Sequence, residues 1–188
     1  PAWQIDVAQW ISWAGDAAQR SVFFIGCAVW LVWKKRPRAG LIMLIIPAMA
    51  GATSSILKQI FARARPELVP HLDATSNLSF PSGHATSAVA VLLLAALLVP
   101  EQKRGLWITL ALLGAAAIGV SRLALGVHWP SDVDAGRLMG TVAVARLQAD
   151  PTFRSQMALA RAEIEDARAK NLHSPRSDCA GEARALAP

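Results

Sequence analysis

The chain has only two cysteines in 188 residues. Cys27 falls in an apolar stretch and Cys179 in a polar tail, so no bridge between them is expected. No His, Cys or carboxylate set has the spacing of zinc ligands, which excludes a structural zinc module as well as a disulfide-stapled fold. No nucleic-acid motif accompanies the net charge of +6, and a charge count alone does not locate a binding face. No signal peptide is visible. The chain begins at Pro1 rather than Met, so upstream residues are expected to have been removed.

Charge is missing over long stretches. Residues 39–57, 85–100 and 105–121 contain no Asp, Glu, Lys or Arg, and each is close to the ~20 residues that a membrane-spanning helix needs. Hydrophobic residues make up 54% of the chain and mean hydropathy is +0.36. Residues 21–33 form a fourth candidate if the helix begins near Ala17 and keeps Arg20 at an interface. In 133–147, Asp134, Arg137 and Arg146 interrupt a moderately apolar segment that either spans or packs against protein. The Met and Leu of these segments read as core or lipid-facing residues rather than a cofactor box.

The expected fold is therefore all-α, a polytopic membrane bundle of about five spans over residues 1–149. In residues 150–188, alternating Arg and Glu over 151–170 predict a soluble amphipathic helix, and 171–188 a disordered tail. At the other end, Trp3, Trp10 and Trp13 share one broad side of a helix over 2–19, suited either to a membrane interface or to packing the bundle.

Charge also orients the chain. The basic turn Lys34, Lys35, Arg36, Arg38 and the short turn with Lys103 and Arg104 should both be cytoplasmic, and two crossings separate them, so they agree. The helix ends carrying Lys58, His84 and Arg122 then share the opposite side.

Those ends carry chemistry. Lys58 with Arg65-Pro66, then Pro81-Ser82-Gly83-His84, then Ser121-Arg122 followed by His128 and Asp132, supply cations and two histidines. Breaking a phosphate ester requires fixed positive charge around the phosphoryl oxygens, an in-line nucleophile and an acid for the departing oxygen. The three segments, in this order and spacing, resemble the tripartite signature of the type 2 phosphatidic acid phosphatase superfamily, over about residues 58–137. That family also takes in bacterial class A acid phosphatases and vanadium haloperoxidases. Its membrane members commonly have six helices, against five candidates here.

The resemblance implies that His128 is the nucleophile, forming a phosphohistidine that water hydrolyses, and that His84 is the general acid. It implies phosphate binding by Lys58, Arg65, Ser82, the Gly83 backbone N–H and Arg122, without a metal or other cofactor. Asp132 would hold the second ring nitrogen of His128, although the same residue type after Pro130 is also a helix N-cap. Ser121 either bonds within the site or satisfies backbone. Arg63 reads by default as a solvated loop residue, and His71 as an exposed bystander. The loop 67–80 could cover the pocket.

The implied substrate is a lipid phosphate or diphosphate, such as phosphatidic acid, phosphatidylglycerol phosphate or a polyprenyl diphosphate. The implied setting is a bacterial inner membrane with the site facing the periplasm or exterior. Other readings stay open. Asp134 and the run through Pro151, Phe153 and Glu163 are more similar to soluble class A acid phosphatases, which act on small esters. A vanadate-dependent peroxidase would share the anion pocket. A non-catalytic protein would bind phospholipid head groups or transport through the basic cluster.

Overall fold

A computed structural model describes residues 2–73, 75 and 78–173. Among these residues the chain is helical, with α1 Ala2–Gly15, α2 Ala17–Trp33, α3 Pro37–Phe61, α4 Gly83–Leu98, α5 Glu101–Ala124, α6 Pro130–Ala149 and α7 Pro151–His173. Cys179 and most of the tail expected over 171–188 lie outside the described residues.

Local chemistry sets the boundaries. Proline opens α3, α6 and α7, where its fixed φ suits the first helical position and its missing N–H costs nothing. Asp150 Oδ1 accepts the Phe153 N–H at 2.7 Å to cap α7. The Ser82 side chain caps α4. Between α5 and α6 the chain turns at Gly126, whose φ of +71° is left-handed and whose missing Cβ would lie 2.5 Å from the Val69 side chain.

Helices α2 to α6 alternate in direction, so the basic turn after α2 and the turn before α5 lie at one end. The start of α2, the end of α3, the start of α4, the end of α5 and the start of α6 lie at the other. The central helix is α4, packed against α3, α5 and α6. Its residues from Ala85 to Val91 are buried on every side, which explains why this segment carries no charge.

Helix α6 approaches α4 through glycines. A Cβ on Gly136 would lie 2.6 Å from the Ser82 carbonyl oxygen, and one on Gly140 2.6 Å from that of Thr86. Both obstacles are backbone, so the helices must part to admit any side chain. Gly140→Leu is expected to destabilise the fold by about 1–3 kcal/mol, and Gly136→Leu also to cut activity, because Ser82 N–H bonds to the Asp132 carbonyl at 3.0 Å across this contact. Thermal unfolding in detergent and phosphate release from the two variants check this.

Among the described residues two helices, α3 and α5, are long and apolar enough to cross a membrane, with only 28% of each apolar window buried. A soluble core helix would be mostly buried, whereas these present Leu41, Ile45, Ile56, Leu110 and Leu113 outward. Helices α2 and α4 are apolar but only 17 and 16 residues long. Helix α6 carries the charges that interrupt it, with Asp134 exposed and 3.8 Å from Arg137.

At the amino end, the predicted helix over 2–19 is broken at Asp16, whose extended backbone separates α1 from α2. Trp3, Trp10 and Trp13 are all exposed, so they do not pack the bundle. Helix α7 folds back on α3, α4 and α6. It buries Met157 and Ala160 against Leu31, Met43 and Leu94, and Glu163 pairs with Arg38 at 2.7 Å.

Candidate active site

His128 lies in the short turn between α5 and α6 and is 5% exposed. Its Nδ1 is 3.3 Å from Asp132 Oδ2, one helical turn on, and its Nε2 is 3.2 Å from Arg65 Nη1. A carboxylate accepts and a guanidinium donates. Nδ1 therefore carries the proton, and the lone pair sits on Nε2. Burial, and then the positive charges of Arg65, Lys58 and Arg122, depress the His128 pKa to about 4 against the opposing pull of Asp132. The ring is neutral at physiological pH, with the Nε2 lone pair free of a proton.

Asp132 is fully buried and does two jobs. Its Oδ2 also accepts the Trp129 N–H at 2.9 Å, reaching back from the third position of α6, so the capping role and the histidine-holding role coexist. Its Oδ1 accepts from Arg63 Nη1 at 2.9 Å. Arg63 is thus no free loop charge. It also donates to Ser131 at 2.8 Å and stacks over Trp129, whose indole N–H reaches the Ala64 carbonyl at 3.2 Å.

The loop from α3 to α4 is fastened to the same end. Lys58 Nζ donates to the Leu78 and Ser79 carbonyls at 2.9 and 3.2 Å. Ser79 Oγ bonds the Arg63 and Ala64 carbonyls at 3.1 and 2.9 Å. Arg65 is carried in to the Val127 carbonyl and His128. Burial lowers the Arg65 pKa, and so does the neighbouring Arg122 charge, so cations are gathered here at an electrostatic cost.

Ser82 is fully buried, with its hydroxyl toward the Ala85 N–H at 3.5 Å. A Cβ at Gly83 would come within 3.2 Å of Ser54 Oγ, so glycine keeps the start of α4 open to a close approach. His84 follows on the first turn of α4. Arg122 is 1% exposed and bonds Ser12 and Asp73, while its Nε has no partner among the described residues. Ser121 donates to the Ile118 carbonyl at 2.7 Å, so of its two possible roles it takes the backbone one. His71 is exposed with its ring on the Pro66 carbonyl.

Two carboxylates at this end were not singled out by sequence. Asp16 Oδ1 is 2.8 Å from His84 Nε2, and Asp73 holds Arg122. Neither belongs to a spaced motif, and the contacts join residues 68 and 49 positions apart, so only tertiary structure reveals them. Among the described residues no group of three His, Cys, Asp or Glu could hold a metal ion.

The profile of the PAP2 superfamily matches residues 39–154. An acid phosphatase of Zymomonas mobilis is 40% identical over 97 residues, covering 52% of this chain and 34% of that protein. Phosphatidylglycerophosphatase B of Bacillus subtilis is 34% identical over 108 residues, covering 54% and 52%. The crystal structure of a transmembrane PAP2 type phosphatidylglycerolphosphate phosphatase from Bacillus subtilis superposes with a TM-score of 0.68 at 26% identity, covering 77% of each chain. The chain spans about a third to a half of the first curated relatives it matches. The matched region takes in more than half of the residues and the helices α3 to α6 that bring Lys58, His84, Arg122 and Asp132 together, and the chain belongs to the PAP2 superfamily.

Proposed function

We propose that this chain is an integral membrane phosphatase that hydrolyses a lipid phosphate or diphosphate through a phosphohistidine. The observation that carries the reading is His128, held in one tautomer between Asp132 and Arg65 amid Lys58 and Arg122. Arg65 lies on the nucleophilic nitrogen and is the group a phosphoryl oxygen would draw onto itself, exposing the lone pair as substrate binds. Nε2 then attacks phosphorus as the P–O bond to the lipid breaks, and His84 protonates the departing oxygen. Water next attacks the phosphohistidine, gives its proton to His84 and releases inorganic phosphate. Ser82, the Gly83 N–H, Lys58, Arg65 and Arg122 hold the phosphoryl oxygens throughout.

A cavity of 480 Å³ between α2, α3 and α4 supports a lipid over a small ester. It has Lys58, Gly83 and His84 at its polar end and Phe24, Ile25, Leu44 and Pro47 along its apolar length, as a head group and chain require. Five spans, α2 to α6, with α1 and its tryptophans at the outer interface and α7 on the cytoplasmic side, agree with the basic turns. The site on this reading faces away from the cytoplasm, in a bacterium at the periplasmic face of the inner membrane. On this reading residues 1–149 are the membrane domain and 150–188 the soluble extension. The acid phosphatase relatives favour soluble esters as the second reading.

The test is phosphate release, with EDTA present, from phosphatidic acid, phosphatidylglycerol phosphate, a polyprenyl diphosphate and a soluble sugar phosphate. Preferential release from a lipid is the expected result. Preference for the soluble ester would install the second reading, and no release from folded protein would promote head-group binding or transport.

A further inference from the structure

His84, like His128, has a carboxylate partner, and that partner comes from outside the region that matches the family. Asp16 lies between α1 and α2, whereas the match begins at residue 39. Its Oδ1 sits 2.8 Å from His84 Nε2. The backbone beside it is pressed against the same ring: a Cβ on Gly15 would lie 3.0 Å from His84 Cδ2 and 3.1 Å from Ile118 Cγ2. Arg20 Nη1 donates to the Gly15 carbonyl at 3.0 Å, which fixes the turn. The Asp16 pKa is held below the ordinary carboxylate value, chiefly by the hydrogen bond to His84.

An aspartate between two helices is most simply a cap, yet the Asp16 side chain makes no capping bond to α2. Its recorded bond is spent on the imidazole instead. The helix break, the glycine and the arginine all serve to bring one carboxylate to one ring.

We propose that Asp16 is the positioning residue of the general acid. It takes the Nε2–H of His84, which leaves Nδ1 facing the leaving oxygen and stabilises the imidazolium that must form before each proton is delivered. As the P–O bond breaks, the Nδ1 proton passes to the leaving oxygen and the ring becomes neutral, with Nε2–H still on Asp16. When water attacks the phosphohistidine, its proton returns to Nδ1. The active site then holds two His–Asp pairs of opposite task. Asp132 keeps a neutral ring oriented for attack, and Asp16 supports a charged ring for proton donation. The other charged groups around His84 are Arg20 on α2 and Arg122 on α5, with Lys58 on α3 lining the same cavity, and Asp16 offsets these cations at the ring.

This inference rests on the phosphatase reading, and its test separates the two. Proton donation matters for an alkyl leaving group and little for p-nitrophenolate, which leaves unaided. Asp16→Asn in the full chain is expected to lower kcat on phosphatidic acid about 10- to 100-fold, with a loss on p-nitrophenyl phosphate at least about tenfold smaller. The alkaline limb of the kcat profile should move to lower pH, since the imidazolium loses its partner. In a His84→Ala background the same substitution should add no further loss. Equal losses on the two esters, an unmoved alkaline limb, or additive losses in the double variant would show that Asp16 acts only on the fold, and would overturn the inference. A wild type that releases phosphate from neither ester, nor from any lipid phosphate or diphosphate of the panel above, would overturn the phosphatase reading itself, and this inference with it.

Discussion

On the proposed mechanism, His128→Ala is expected to reduce phosphate release by about four orders of magnitude or more, because loss of the proposed covalent nucleophile leaves only binding and electrostatic stabilisation. The variant should stay folded. Asp132 retains Arg63 at 2.9 Å and the Trp129 N–H at 2.9 Å when the imidazole is gone, so no buried charge is stranded. A quench of wild type turning over a radiolabelled substrate should trap alkali-stable, acid-labile label on the protein, and the variant should trap none. The wild-type pH profile carries the same assignment. Burial and the surrounding cations hold His128 near a pKa of about 4, so the neutral nucleophile is present above that pH. The acid limb of kcat/KM should therefore fall as pH drops through about 4. Bound phosphate offsets the cations, so the limb of kcat should lie higher. A variant that still turns over lipid phosphate and still traps label would refute the assignment of His128.

The reach of the sequence can be judged residue by residue. Charge-free stretches marked α3, α4 and α5 because burial or lipid contact forbids charge all round a helix. The motifs named Lys58, Arg65, His84, Arg122, His128 and Asp132, which do converge at one end of the bundle. Their partners were illegible. Asp16 and Asp73 lie far in sequence from His84 and Arg122, and a lone aspartate in a turn has many ordinary uses. Arg63 read as a loop charge because the cation–carboxylate contact with Asp132 spans 69 positions. The polar character of α6 left spanning and packing both open for a physical reason: its buried stripe is Asp132, Val133, Gly136, Gly140 and Val144, so close approach to α4 replaces hydrophobicity as the packing signal.

Asp132→Asn gives the second large effect, and its logic is geometric. The carboxylate accepts three bonds, from His128 Nδ1 at 3.3 Å, from the Trp129 N–H at 2.9 Å and from Arg63 at 2.9 Å, in a fully buried position. An amide offers one accepting oxygen and one NH2 group that can only donate. With its oxygen toward His128 and Trp129, the NH2 confronts the Arg63 guanidinium, donor against donor. With its oxygen toward Arg63, the NH2 meets Nδ1, which must then give up its proton, and the ring switches to the tautomer whose Nε2 cannot attack. Neither orientation also supplies negative charge for the cation that develops on His128 during transfer. Activity should fall about a thousand- to ten-thousand-fold, while the half-exposed arginine left facing a buried amide donor lowers thermal stability. Adding Arg63→Gln tells the two effects apart. The glutamine can accept the amide donor, so stability should recover while the rate stays low. Recovery of both would mean that Asp132 serves only to hold the α3–α4 loop on α6. A single Asp132→Asn variant within tenfold of wild type would show that the tautomer of His128 is set by Arg65 alone.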